Sequence, residues 1–114
     1  MYLMGQLYLI DAQVHGKGKF AHTKIYAISS PNTELVYVGY TTQCDLDSYL
    51  KSHISEYQRQ PKKRRTSWKV IEHGGAKIEL IETWPCSSEA EAEAREAHHI
   101  LRTPHCVNKV VPSD

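Results

Sequence analysis

The sequence lacks an excess of charge of either sign and lacks any long hydrophobic run. Its 114 residues include 14 lysines and arginines and 13 aspartates and glutamates, which leaves a net charge of +1 with neutral histidines. Because the molecule has no overall basic field, binding to a nucleic acid needs a local basic patch. No segment approaches the ~20 apolar residues of a membrane span, so we expect no membrane partner.

Cysteine is also scarce, and its pattern excludes a disulfide framework. The three cysteines, Cys44, Cys86 and Cys106, are odd in number and irregularly spaced, whereas a disulfide-rich domain has paired cysteines. Residues 1–10 lack the basic start and the small-residue cleavage site of a signal peptide. We therefore expect an intracellular protein, in the cytoplasm or in the nucleus or nucleoid.

The hydrophobic pattern predicts an α+β domain with a small antiparallel sheet flanked by helices. Residues 1–23 contain one strand-like run at 7–10 and a glycine-rich break, and they form an N-terminal extension. Runs rich in β-branched and aromatic residues predict further strands at 24–28, 35–40, 68–72 and 77–83. The expected sheet has a three-stranded core and the N-terminal strand.

The strands at 24–28 and 35–40 are expected to form a hairpin, because only a short turn that includes Pro31 separates them. If the loop has two residues, Ser30 lies opposite Thr33 and Tyr26 lies opposite Tyr37. A three-residue loop would shift this register. With the shorter loop both rings share one face, and on composition alone such a pair is usually cross-strand packing.

Two stretches are predicted to form helices instead. Apolar and aromatic side chains recur every three or four residues over 46–57, which predicts an amphipathic helix that Pro61 ends. Ser88 and Glu91 have the spacing of a capping box, so a second helix is expected from Ser88 to about residue 101.

One dense basic cluster lies in the loop after the first helix. Its four consecutive cations are Lys62, Lys63, Arg64 and Arg65. Such a run is usually a solvated loop, but here it is also the best candidate for contacts with nucleic-acid phosphates.

A structural metal site is a weaker alternative. The histidines and cysteines near the C-terminus lack the ligand spacing of zinc sites, which disfavours such a site. These residues are Cys86, His98, His99, His105 and Cys106.

An ordered set of short motifs resembles the GIY-YIG nuclease family. Lys-Ile-Tyr at 24–26 has lysine in place of the family's first glycine, and after ten residues Tyr-Val-Gly at 37–39 stands for Tyr-Ile-Gly. A helix that contains His53 follows. Arg-Glu at 95–96 and Asn108 look like the family's metal-binding glutamate and trailing asparagine.

The resemblance covers most of the chain, from residue 24 to about residue 111. The segment 106–109 looks like the family's C-terminal strand. The chain is therefore divided into an extension, 1–23, and a GIY-YIG nuclease domain, 24–114.

The resemblance implies a metal-dependent endonuclease that hydrolyses phosphodiester bonds of DNA. Glu96 would be the protein's ligand to one divalent metal, Mg²⁺ or Mn²⁺, and Tyr26 would help to deprotonate the attacking water. Tyr37 and His53 would position that water and the scissile phosphate, and Asn108 would support the site. A metal suits this chemistry because a cation neutralises the charge that develops on a phosphodiester. DNA is then the partner, and a homodimer is one route to specificity.

One position departs from the family pattern. The family's first helix carries an arginine that contacts the scissile phosphate one turn before the histidine, and Tyr49 stands at that position here. The resemblance therefore implies a nuclease that Tyr49 weakens. The alternative is a catalytically degenerate GIY-YIG domain that binds nucleic acid or a protein partner without cleavage.

Overall fold

A three-stranded antiparallel sheet with helices on both faces forms the centre of the fold. The computed structural model describes residues 18–108, so the strand expected at 7–10 lies outside the described residues. The α+β architecture with a three-stranded core is confirmed. No helix within residues 18–108 is long and apolar enough to cross a membrane.

Two strands are followed by two helices, a third strand and a third helix along the chain. The elements are β1 (Lys24–Ser30), β2 (Thr33–Thr41), α1 (Leu46–Arg59), α2 (Trp68–Ile71), β3 (Lys77–Thr83) and α3 (Glu89–Ile100). Two short 3-10 segments, Gly18–His22 and Pro61–Lys63, precede β1 and α2. The strand order in the sheet is β2–β1–β3, and both neighbouring pairs are antiparallel.

The β1–β2 hairpin differs from its expected register. Ser30 lies opposite Thr33 as expected, but the pairing then shifts, and Tyr26 faces Gly39. The expected pairing of Tyr26 with Tyr37 is therefore wrong by two positions. Because this shift is even, both tyrosine rings still lie on one face of the sheet, with their centroids 6.2 Å apart.

The shift occurs where β2 contacts the C-terminal segment. The backbone N–H of Val36 donates to the carbonyl of His105 at 3.0 Å, and the N–H of Val107 donates to the carbonyl of Val36 at 2.8 Å. Val36 and Cys106 thereby form a single parallel bridge, at the place where the resemblance implies a strand. Extra residues of β2 bulge away from β1 at this point, and the bulge moves the register.

The hydrophobic core lies between one face of the sheet and the helices α1 and α2. Its buried members are Tyr26, Ile28, Leu50, Trp68, Val70 and Ile71. The opposite face of the sheet carries the buried side chains of Ile25 and Val38, because successive residues of a strand point in opposite directions. Helix α3, with its buried Ala92, packs on that second face.

The strand expected at 68–72 is wrong, because Trp68–Ile71 forms a single helical turn. The N–H of Ile71 donates to the carbonyl of Ser67 at 3.2 Å, and the N–H of Glu72 donates to that of Trp68 at 2.9 Å. Val70 and Ile71 are both buried, which the alternating faces of a half-buried strand do not allow. Burial in the core overrides the strand propensity of these residues.

A side chain caps the first turn of each of the two long helices. The side chain of Asp45 accepts a hydrogen bond from the N–H of Asp47 at 3.0 Å at the start of α1. At the start of α3, the hydroxyl of Ser88 accepts from the N–H of Glu91 at 3.3 Å. The Glu91 carboxylate accepts in turn from the N–H of Ser87 at 2.8 Å. The capping interaction expected at Ser88 is confirmed.

Candidate active site

Four aromatic rings from β1, β2 and α1 pack together at one end of the core. The ring of Tyr26 lies 6.2 Å from that of Tyr37 and 5.3 Å from that of Tyr49, centroid to centroid. The rings of Tyr49 and His53 are 4.5 Å apart, because positions 49 and 53 are one helical turn apart. We call Tyr26, Tyr37, Tyr49 and His53 the aromatic cluster.

Gly39 makes this packing possible. A Cβ atom at this position would lie 2.5 Å from the hydroxyl oxygen of Tyr26 and 2.9 Å from the Cε2 atom of Tyr37. Both distances are well below a normal contact between carbon or oxygen atoms. The glycine of the Tyr-Val-Gly motif is therefore required by the approach of two tyrosine rings.

Tyr26 is closed off from solvent. Its side chain is 1% exposed, and its hydroxyl donates to that of Tyr49 with 3.2 Å between the oxygens. Burial, followed by the neighbouring Tyr37 and Tyr49 hydroxyls, raises the pKa of Tyr26 far above its ordinary value of 10.0. Tyr26 thus remains a neutral phenol that fixes Tyr49 in place.

A groove of about 510 Å³ opens over the exposed side of the aromatic cluster. Tyr37 of β2 and Tyr49 and His53 of α1 line one part of it, and residues 63–67 line the other. We call this cavity the site groove. The structure thus brings three of the expected site residues together with three cations of the basic loop, defined here as residues 62–65.

His53 lies in the site groove as a neutral imidazole. Burial lowers the pKa of His53 below its ordinary value of 6.5, and the positive charge of Arg65 lowers it further, while Glu56 acts in the opposite direction. Its Nδ1 atom lies 3.4 Å from the hydroxyl oxygen of Ser67. At neutral pH the ring has one nitrogen that can accept a proton.

Tyr37 lines the site groove and keeps its hydroxyl protonated. Burial, and then the nearby Glu96 carboxylate, raise the pKa of Tyr37 to about 12. A phenol with such a pKa is protonated at neutral pH, and it is able to donate a hydrogen bond to an anionic group.

Glu96 comes from α3 and lies close enough to Tyr37 to raise the pKa of that phenol. Its carboxyl group is partly buried, and this burial, followed by the negative charge of Glu93, raises the pKa of Glu96 to about 7. The backbone amide of Tyr40 acts in the opposite direction. Glu96 is not among the residues that line the site groove. No cation within residues 18–108 forms an ion pair with its carboxylate, and a bound metal would stabilise the charged form of such a partly buried group.

Asn108 joins the C-terminal segment to β2. Its Oδ1 atom accepts a hydrogen bond from the N–H of Val38 at 3.2 Å, and its Nδ2 atom donates to the carbonyl of the same residue. The thiol of Cys106 lies 2.8 Å from Oδ1. Asn108 thus satisfies the backbone of β2 beside Tyr37, and its side chain does not line the site groove.

The basic loop is held by an acidic residue that sequence reasoning missed. Glu56 of α1 binds Lys63 through Nζ at 3.0 Å and Arg65 through Nε at 2.8 Å. Lys62 is exposed and does not line the site groove. The helical spacing places Glu56 near the end of α1, but only the folded loop shows which cations it contacts. Ser67, the partner of His53, was missed for the same reason.

Most of the chain matches a known protein family. A sequence model of the GIY-YIG catalytic domain matches residues 22–106 of this 114-residue chain. The chain belongs to the GIY-YIG family. The resemblance inferred from the motifs is thereby confirmed, and the family is one of nucleases. No curated protein and no solved structure showed significant similarity to the chain.

The lysine that replaces the first glycine of the GIY-YIG pattern has a local structural role. The Nζ atom of Lys24 donates to the carbonyl of His22 at 3.2 Å and to that of Gln43 at 3.1 Å. These bonds join the start of β1 to the loop that leads into α1. The substitution lies outside the residues that line the site groove.

Proposed function

We propose that this GIY-YIG domain is a metal-dependent endonuclease that hydrolyses phosphodiester bonds in DNA. The observation that carries the proposal is the site groove, where Tyr37 and His53 meet three cations of the basic loop. Clustered lysine and arginine side chains favour the binding of a DNA phosphate. Neighbouring proton donors and acceptors suit hydrolysis of that phosphate.

Glu96 is the residue that would hold the metal, Mg²⁺ or Mn²⁺. When bound, the metal would neutralise charge on the phosphate and lower the pKa of a bound water. Within residues 18–108 no three His, Cys, Asp or Glu side chains form a metal-binding group. A single carboxylate nevertheless fits Mg²⁺, which keeps several waters and also binds the phosphate oxygens of a substrate.

His53 is the group in this proposal that accepts the proton of the attacking water. Its neutral imidazole lines the site groove, whereas Tyr26, to which the resemblance assigns this role, is buried and hydrogen-bonded to Tyr49. The Tyr37 hydroxyl orients the phosphate or the water by donating a hydrogen bond. Tyr26 and Asn108 are positioning residues, because they fix Tyr49 and β2 respectively.

A second candidate function is a degenerate domain that binds nucleic acid without cutting it. The position of Tyr49 favours this alternative, since its ring packs against His53 where the resemblance implies an arginine. A phenol cannot supply the two parallel donors with which a guanidinium binds phosphate oxygens.

The decisive experiment incubates the purified protein with supercoiled plasmid and with branched DNA. Each substrate is tested with Mg²⁺, with Mn²⁺ and in excess EDTA, and DNA binding is measured in parallel. The nuclease proposal expects cleavage with either metal and none in EDTA. Binding without cleavage under every condition would instead support the degenerate domain.

A further inference from the structure

We propose that Arg64 binds the scissile phosphate from the basic loop and replaces the arginine that α1 lacks, an inference that rests on the proposed nuclease function. Arg64 lies outside the helix that carries His53. It differs from its neighbours Lys63 and Arg65 in the contacts of its side chain.

The three groove-lining cations of the basic loop are not equivalent. Lys63 and Arg65 both bind the carboxylate of Glu56, and Arg65 does so through two nitrogens, with Nε 2.8 Å and an NH2 nitrogen 3.1 Å from carboxylate oxygens. Arg64 forms no ion pair or side-chain hydrogen bond within residues 18–108. Among the three, only its guanidinium has no carboxylate partner in the described part of the chain.

The backbone places Arg64 at a turn. It follows the 3-10 segment Pro61–Lys63 and has left-handed backbone angles, with φ 56° and ψ 65°. Residues other than glycine, asparagine and aspartate rarely adopt this conformation. The residues on either side, Lys63 and Arg65, hold this turn against α1 through their ion pairs with Glu56.

The turn sets Arg64 at the boundary between two cavities. One is the site groove of about 510 Å³, with Tyr49 and His53. The other has about 520 Å³ and lies beside Tyr57 and Trp68. An exposed guanidinium at this rim has access to a DNA strand that enters the site groove.

The guanidinium of Arg64 has the chemistry needed to bind a phosphate. A guanidinium binds two phosphate oxygens in a fork, and it stays charged at every physiological pH. Tyr49 occupies the arginine position of α1 but offers one hydroxyl, which already accepts a hydrogen bond from Tyr26. Arg64 therefore supplies from across the site groove the cation that α1 does not.

The test compares Arg64→Asn with Lys62→Gln, two variants that each remove one positive charge from the basic loop. Asparagine tolerates the left-handed backbone at position 64, so we expect an unchanged melting temperature. Lys62 does not line the site groove, which makes Lys62→Gln the matched control. Arg64→Lys retains the charge without the fork.

Two quantities are measured for each variant: the dissociation constant for a short DNA duplex in EDTA, and the single-turnover cleavage rate at saturating DNA in Mg²⁺. For Arg64→Asn we expect affinity to fall about tenfold, as for loss of a charged hydrogen bond, and the cleavage rate to fall about a hundredfold. Lys62→Gln should change either value by less than about threefold, and Arg64→Lys should lie between.

If Arg64→Asn and Lys62→Gln have equal affinities and equal cleavage rates, the proposed role of Arg64 is wrong. The nuclease function is judged separately, and it stands in that case as long as the parent protein cuts DNA. A parent that never cuts overturns the nuclease function separately. In that case the dissociation constants for DNA still test whether Arg64 contacts a phosphate. Equal affinities of Arg64→Asn and Lys62→Gln would overturn this contact.

Discussion

The hydroxyl of Tyr26 donates a hydrogen bond to the hydroxyl of Tyr49, with 3.2 Å between the two oxygens. Tyr26 is buried in β1, so this bond ties α1 to the sheet at the position of the family's arginine. Tyr49 also packs against His53. Position 49 therefore belongs to the aromatic cluster, and under the proposed function the cation that binds the phosphate comes from another element.

Tyr49→Arg is expected to rescue the cleavage defect of Arg64→Asn. An arginine at position 49 lies one helical turn from His53, and its guanidinium offers two donors to a phosphate. Single-turnover rates should show the double variant at least tenfold faster than Arg64→Asn alone. Tyr49→Phe in the same background is the control, because it adds no cation and should rescue nothing. A double variant that cuts as slowly as Arg64→Asn would contradict the proposal that an arginine at position 49 can replace Arg64 in binding the phosphate.

Gly39→Ala should destabilise the domain. The added methyl group would lie 2.5 Å from the hydroxyl oxygen of Tyr26, so Tyr26 or the hairpin has to move. Overpacking of this kind costs about 1–3 kcal/mol in the free energy of unfolding, which urea denaturation measures. An unchanged denaturation midpoint would mean that the rings move aside freely, and that the aromatic cluster is not rigid.

The sequence predicts those parts of the fold that depend on local interactions. The start of α3 at Ser88 depends on a side chain that bonds to its own first turn, and α1 follows from the helical spacing of apolar residues over 46–57. The pairing of Tyr26 with Gly39 depends instead on a bulge at Val36, which contacts His105 at the far end of the chain. A hairpin rule contains no information about that distant partner.

In the candidate site, too, local sequence predicts some residues, whereas others depend on contacts that only the folded chain makes. The motif spacing predicts Tyr37 and His53, which both line the site groove, because these positions follow from elements that the sequence identifies. The metal-binding role of Glu96 on α3 stays a prediction. The ion pair between Glu56 and Arg65 depends on how the basic loop folds back over α1. Four adjacent basic residues therefore do not predict that Arg64, unlike Lys63 and Arg65, has no carboxylate partner within residues 18–108.

The pKa of His53 is expected to lie below 6.5 and to rise when Arg65 is neutralised. Burial disfavours the charged ring, and the adjacent positive charge of Arg65 disfavours it further. NMR titration of the imidazole protons measures this pKa in the parent and in Arg65→Gln. Lys62→Gln is the control, since Lys62 is not among the charges that shift His53. A pKa that falls in Arg65→Gln would contradict this view of the site groove.

Glu82 should stabilise the domain above pH 5 and lose that effect in acid. Its carboxylate binds Arg95 at 2.5 Å and His99 at 2.6 Å, and hydrogen bonding to Arg95 is the main reason that the pKa of Glu82 falls from 4.5 to about 2. A lowered carboxyl pKa contributes stability above the unfolded value, and this stability is lost as the pH falls through the folded value.

Glu82→Gln should therefore lower the free energy of unfolding by about 1 kcal/mol at pH 7, as for a partly exposed ion pair. The difference from the parent should shrink as the pH falls from about 5 towards 2. Denaturation at several pH values measures it. Glu79→Gln, an exposed position on the same strand, is the control and should have little effect. A difference between parent and Glu82→Gln that is independent of pH would assign the loss to packing.

The most direct test of the proposed function is the metal-dependent cleavage rate of Glu96→Gln beside that of Glu79→Gln. Both changes replace a glutamate by an amide of the same shape, but only Glu96 is expected to hold the metal, and Glu79 is an exposed position of β3. With Mg²⁺ and saturating DNA, Glu96→Gln should cut at least about a hundredfold more slowly than the parent, while Glu79→Gln stays close to it and both variants still bind DNA. Cleavage by Glu96→Gln at the parent rate would contradict the assignment of Glu96 and, with it, the metal-dependent mechanism at this site.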